Sequence, residues 1–365
     1  MPRFTDLRAV IKLGVSLTLV PATCIIYSPA SFSQENDKPQ AAGDYKATSD
    51  PKSAADPQTP GDSKDAAFYV SLSENNIQVQ NYAKAIADAT KAIEVDFKAS
   101  NAYNTRGAAY LFTKQWKLAL DDFTAAIQLG YATAGVYANR GIIYNELGEF
   151  DKSLADFETS KRLAPELSGA YNNCALTYLK MGDYQKVIDE CNMAAKLDPR
   201  NASAFSNKAT AELNLKQFDV AIADATHALS IDSRSAHALK VRAAAYLNIN
   251  NFQKSAEDAA RAIELNQNQN GAYYYCGAAN LYLGHFDKAV ELLTRAIEYN
   301  ESTKWAYYQR GMAYAQLGKQ ELAAKDVETA KALGWTPRDT LPNFVVTTED
   351  TKPSKPPKSE LKPNN

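Results

Sequence analysis

The chain has 365 residues, 45% hydrophobic and 22% charged, with a formal net charge of -2. A near-neutral balance excludes nucleic acid as the main partner, because phosphate recognition needs a clustered Lys/Arg surplus. Four cysteines are too few for a disulfide scaffold, and three histidines leave little for a His-based metal or catalytic site.

Residues 1–33 have the order of a secretory signal. Arg3, Arg8 and Lys12 give a basic start, Leu13 to Tyr27 an apolar core interrupted by Pro21, and small residues run from Ser28 to Ser33. An uncleaved anchor is the alternative; the short, proline-broken core favours cleavage, after Ala30 or after Ser33. The expected destination is the periplasm or the exterior. Residues 34–65 are rich in Pro, Asp, Lys, Ser and Gln, with too few apolar residues to offset the entropy of ordering, and are expected to be a disordered linker.

A period of 34 residues begins at Ala66 and runs to Pro337 through eight frames without insertion or deletion. Gly107, Gly141, Gly277 and Gly311 mark one position, held between them by Ala175, Ala209 and Ala243. Glycine inside a helix is unfavourable, so a small residue recurring there implies that another backbone passes close by. Tyr82, Trp116, Phe150, Tyr184, Phe218, Phe252 and Phe286 mark a second position, all aromatic. Each frame holds two helical stripes. In the third, Tyr137, Tyr144 and Leu147 end at Gly148, then Phe150, Leu154, Phe157 and Leu163 end before Pro165. Two such helices cannot bury their apolar faces alone but stacked neighbours can, which predicts an all-α solenoid of antiparallel helix pairs.

The residue before the Gly/Ala marker is basic in five frames: Arg106, Arg140, Lys208, Arg242 and Arg310. Sixteen residues on, each has an aspartate: Asp122, Asp156, Asp224, Asp258 and Asp326. A helix–helix ion pair inside each repeat is expected, with Cys276 and Leu292 replacing it in the seventh frame. Cys174 and Cys191 are expected to face each other, as two small buried thiols or as a disulfide. No metal-ligand spacing links His227, His237 and His285, and no phosphate loop or separate catalytic domain is present, so no enzyme, cofactor or metal is expected.

The 34-residue helix pair with Tyr137, Gly141, Tyr144, Leu147-Gly148, Phe150, Phe157 and Pro165 resembles the tetratricopeptide repeat. Frame two matches it with Tyr103, Gly107, Tyr110, Trp116, Ala119, Phe123 and Ala126, and the resemblance covers residues 66–337. It implies a right-handed superhelix serving as a protein-interaction scaffold, with a peptide or protein in the concave groove; together with the signal it points to envelope assembly or secretion. A structural or oligomerising solenoid is the alternative, against which the last repeat loses its aromatic at Gln320 and carries Lys331. The resemblance also raises a co-chaperone that clamps acidic C-termini, but the required Lys with Asn four residues later is missing: Lys240 has Ala244 at that place.

First helices of such solenoids line the groove. Asn104, Asn139, Asn172, Asn173 and Asn207 put amides along the front, where consecutive ones could form a ladder on a bound backbone. Tyr274, Tyr275, Tyr282, Trp305 and Tyr308 put aromatic anchors at the back. Residues 338–365, with Lys352-Pro353-Ser354-Lys355-Pro356-Pro357-Lys358, are expected to be a solvated tail.

Overall fold

The computed structural model describes residues 65–265, 270–299 and 304–336. The expected signal and tail, and the linker apart from Asp65, lie outside them. Among the described residues every regular element is a helix, sixteen in all, two to each frame. They fall into two compact units that divide between Val136 and Tyr137.

The first unit holds α1 (Ala66–Gln78), α2 (Tyr82–Val95), α3 (Ser100–Phe112) and α4 (Trp116–Gln128). Asp65 caps α1 by accepting from the Phe68 N–H at 2.8 Å, and Asn81 caps α2. Each helix packs on the next in sequence, over a core of Ala85, Ala89, Ala92, Ala102 and Phe123.

The second unit starts within α5 (Ala134–Leu147). It continues through α6 (Phe150–Leu163), α7 (Ser168–Met181), α8 (Tyr184–Leu197), α9 (Ala202–Asn214), α10 (Phe218–Ile231) and α11 (Ala236–Asn248). It ends with α12 (Phe252–Leu265), α13 (Asn270–Tyr282), α14 (Phe286–Tyr299), α15 (Lys304–Gln316) and α16 (Gln320–Ala332). Odd-numbered helices are the first of each pair. From α7 to α15 they touch one another as well as their own partners, so they form the more closely packed layer.

The turn inside every pair is the same. Gln80, Lys114, Gly148, Gly182, Lys216, Asn250, Gly284 and Gly318, spaced by 34, all have φ between 57° and 80°. This left-handed residue lets the chain reverse: in the fourth frame Asp183 N–H bonds to Tyr178 O at 3.0 Å. Four frames use glycine there and four accept the steric cost of a side chain.

The periodic small position works by complementary volume. A Cβ on Gly107 would lie 3.1 Å from the Phe123 ring, and one on Gly141 would lie 3.0 Å from that of Phe157. One on Gly277 would lie 2.8 Å from Leu293 Cγ. The expectation of a close backbone is therefore corrected in frames two and three, where the close neighbour is a phenyl ring sixteen residues on. Gly311 fits the original expectation, with the Ala323 carbonyl oxygen 3.2 Å from the same point. Where the marker is alanine, the residue sixteen on is small: Cys191, Ala225 and Ala259. The summed volume is kept, as close packing of the helix pair requires.

The ion pairs form as expected. Arg106, Arg140, Arg242 and Arg310 each hold their aspartate through two parallel bonds of 2.6–2.8 Å, and Lys208 reaches Asp224 at 3.0 Å. The guanidinium has a third arm. Arg106, Arg242 and Arg310 donate to Thr90, Thr226 and Thr294 of the preceding repeat, at 3.3, 3.0 and 3.0 Å. One side chain thus ties three helices across a repeat boundary. In the seventh frame all three places are apolar, Ala260, Cys276 and Leu292, so the device is replaced as a whole.

Candidate functional site

The first-helix face carries the residues expected to bind. Its amides are in place but enclosed: Asn104, Asn139, Asn172, Asn173 and Asn207 are all buried. Asn207 donates to Asn172 Oδ1 at 2.9 Å, so these two close on each other between α7 and α9. The expected open ladder is not what the structure holds, because neighbouring first helices approach too closely to leave the amides in solvent. Both amide atoms of Asn173, and Asn139 Oδ1, are buried without a hydrogen-bond partner.

The aromatic end is more open. Tyr274, Tyr282, Trp305 and Tyr308 are half-buried, whereas Tyr275 is 2% exposed and belongs to the core. Tyr282 stacks on Phe252 with ring centroids 4.7 Å apart, and Tyr308 stacks on Trp335 at 4.1 Å. Burial pushes the Tyr282 phenol up to about 12. Tyr282 Oη, Trp335 Nε1 and both amide atoms of Gln309 are buried without partners.

Three further polar clusters lie in the second unit. In the fourth frame, where Cys174 stands in the arginine position, Lys161 of α6 supplies the cation. Its ammonium lies 2.8 Å from Glu190, 2.7 Å from Glu158 and 3.8 Å from Cys174 Sγ. Burial draws this lysine toward the neutral form; its bonds to Glu158 and Glu190 outweigh that and hold it above its ordinary value. Glu158, Cys174 and Glu190 could ligate a metal by spacing, but the chain's own ammonium lies among them. Cys174 and Cys191 are free and buried, as is Cys276, and burial raises all three thiols, Cys276 to about 11.

In the fifth frame Glu212 replaces the tyrosine found at that place in five other frames. It is 2% exposed, and Lys208 serves two acids, Asp224 at 3.0 Å and Glu212 at 3.8 Å. Burial first, and then a hydrogen bond to Asp224, push the Glu212 carboxyl up to about 8. His237 of α11 bonds to Thr210 Oγ1 at 3.1 Å; burial, then the nearby Lys240, lower it to about 3, so it is a neutral ring. Sequence reasoning missed Lys161, Glu212 and the threonine arm. Thr90, Thr124, Thr226 and Thr294, each sixteen residues before an arginine, were the available signal.

Family models of the tetratricopeptide repeat match residues 134–167 and 168–201, the third and fourth frames, and residues 277–336 within the last two. The chain carries tetratricopeptide repeats. A tetratricopeptide-repeat protein from Parabacteroides merdae, 15% identical, aligns over 73% of this chain and 98% of its own with a TM-score of 0.52. PilW, a widely conserved type IV pilus biogenesis factor, is 20% identical over 55% of this chain and 92% of its own, at 0.51. The Cut9–Hcn1 assembly of the APC/C is 15% identical over 75% of this chain and 54% of its own, at 0.57. At these identities the likeness shows the fold. None of the curated proteins matches.

The tetratricopeptide-repeat fold suggests a scaffold for protein partners. Among the described residues no helix is long and apolar enough to cross a membrane. Lys240 is buried and Ala244, four residues on, is buried beside it, so the place where a co-chaperone clamp needs an amide holds a methyl group.

Proposed function

We propose that the first-helix face of the second unit binds an extended segment of a partner protein, and that its aromatic end supplies the anchors. The observation that carries this reading is the union of half-exposed rings, Tyr274, Tyr282 and Tyr308, with buried polar atoms that have no partner, Tyr282 Oη and the Gln309 amide. Rings with polar tips suit a chain that is apolar in its side chains and polar in its backbone. Asn173, with both amide atoms unmatched, extends the same chemistry toward α7; Asn172 and Asn207 are already committed to each other. The signal-like order of residues 1–33 supports work outside the cytoplasm, in envelope assembly or secretion.

A photo-cross-linking phenylalanine analogue at Tyr274, compared with one at the exposed second-helix position Ala155, tests the groove in the native host. A defined protein partner captured from Tyr274 and not from Ala155 is expected. Equal capture at both sites, or none at either, discards the reading. N-terminal sequencing of the mature protein tests export, with Ser31 or Gln34 expected as the first residue.

A further inference from the structure

The charges at α13 and α15 are already committed within the fold. α13 carries no charged residue; on α15, Lys304 bonds to the Gly334 carbonyl at 3.0 Å, and Arg310 bonds to Asp326 and Thr294. Two ring stacks stand at this end, Phe252 with Tyr282 at 4.7 Å and Tyr308 with Trp335 at 4.1 Å. A charged group brought here would lose its hydration and gain no opposite charge, so the segment that fits is uncharged.

The unmatched buried atoms here are mainly donors. Trp335 Nε1 only donates, the Tyr282 hydroxyl and Gln309 Nε2 donate as well, and Gln309 Oε1 alone among them only accepts. An ordinary extended segment brings as many N–H groups as carbonyls, and its N–H groups would lack acceptors. Proline brings a carbonyl and no N–H, so a proline-rich chain matches the excess of donors. The spacing of the repeats agrees. Tyr274 and Tyr308 hold the same place in consecutive repeats, 34 residues apart, on helices that pack directly on one another. Packed helices lie roughly 8–10 Å apart. A polyproline II helix advances about 9.3 Å in each three-residue turn. A strand returns to the same face every ~6.8 Å. Of the two, the polyproline helix brings the same face of the ligand to both tyrosines.

We propose that the aromatic end of the first-helix face takes an uncharged, proline-rich segment of a partner protein in the polyproline II conformation. The proposal rests on the reading that this face binds extended segments, and names the chemistry of the segment. Pyrrolidine rings pack on half-buried Tyr274 and Tyr308. Rotation of the half-buried Tyr282 and Tyr308 rings uncovers the Tyr282 hydroxyl and the Trp335 N–H, which then donate to carbonyls of the ligand. A proline-rich chain is extended before it binds, so docking orders it at little entropic cost.

The test titrates the full chain with two dye-labelled synthetic peptides, decaproline and an alternating Thr-Gln decapeptide, read by anisotropy. Decaproline is expected to bind about tenfold or more tightly than the Thr-Gln peptide. Tyr282→Phe and Trp335→Phe each keep a ring stack and remove one donor. Each is expected to weaken decaproline binding about fivefold, the worth of one hydrogen bond, with helix content by circular dichroism unchanged. Equal binding of the two peptides, or tighter binding of Thr-Gln, overturns the assignment of proline. Binding of neither peptide overturns it as well, and so does decaproline binding that both substitutions leave unchanged. The cross-link from Tyr274 reports on the groove separately: a partner captured there, with decaproline unbound, sinks this proposal and leaves the groove reading standing.

Discussion

Glu212 makes the protein's stability depend on pH in a direction opposite to that of most carboxylates. Its carboxyl is buried between α9 and α10, beside Asp224 and a single lysine, Lys208. In the unfolded chain it ionises near the ordinary 4.5; in the folded protein it keeps its proton up to about 8. Between those values the unfolded state binds fewer protons than the folded state, so stability falls as pH rises through the window and levels off above it. At about 1.36 kcal/mol per pH unit the upper bound is about 5 kcal/mol. Sharing of charge with Asp224 and Lys208 brings the working figure to about 2–4 kcal/mol. Glu212→Gln keeps the shape and removes the titration. Urea unfolding of both proteins at intervals from pH 5 to pH 9 is the assay, with hydrogen exchange of α9 and α10 as a local readout. The two proteins are expected to be close in stability at pH 5, and the variant to be the more stable by about 2–4 kcal/mol at pH 9. Parallel pH profiles would refute the reasoning.

Gly277→Ala places a Cβ 2.8 Å from Leu293 Cγ and is expected to destabilise by about 1–2 kcal/mol, overpacking exceeding the gain in helix propensity. Combined with Leu293→Ala, the same change is expected to cost nothing, because it recreates the Ala243/Ala259 pairing; a double-mutant cycle in urea measures the coupling. Lys161→Met removes the cation from Glu190 and is expected to cost about 1–3 kcal/mol. Adding Cys174→Arg should recover part of this by rebuilding the arginine–acid pair of the other frames, and no recovery in thermal melts would show that Lys161 is not a substitute for that arginine.

The repeat register was legible because eight copies report the same 34-residue period, and the Arg–Asp pairs because both partners recur together. Lys161 escaped because it substitutes for Arg140 and its equivalents from a different place in the period, on the preceding repeat's second helix. The four non-glycine turn residues escaped because Gln80, Lys114, Lys216 and Asn250 share a backbone angle and no chemistry. For the proposed binding face, sequence spacing placed Asn172, Asn173 and Asn207 on first helices. It could not show that adjacent first helices close over them, since that distance depends on side chains of three repeats at once. Tyr275 was misjudged for the same reason: one residue from half-exposed Tyr274, it points into the core.

The three-helix arginine bond changes what counts as one interchangeable piece of this chain. Thr226, Arg242 and Asp258 complete one such bond, and they straddle the boundary at which a 34-residue frame begins. A segment that carries a whole bond therefore starts in the middle of one second helix and ends in the middle of the next. Excising residues 270–303 would keep the helical register, yet Arg310 would meet Ala260 where Thr294 had been, with its third arm unmatched. Duplication, loss or grafting of repeats here is constrained at the joints, and a cut between Phe and Thr equivalents, inside the second helix, transfers the bond intact.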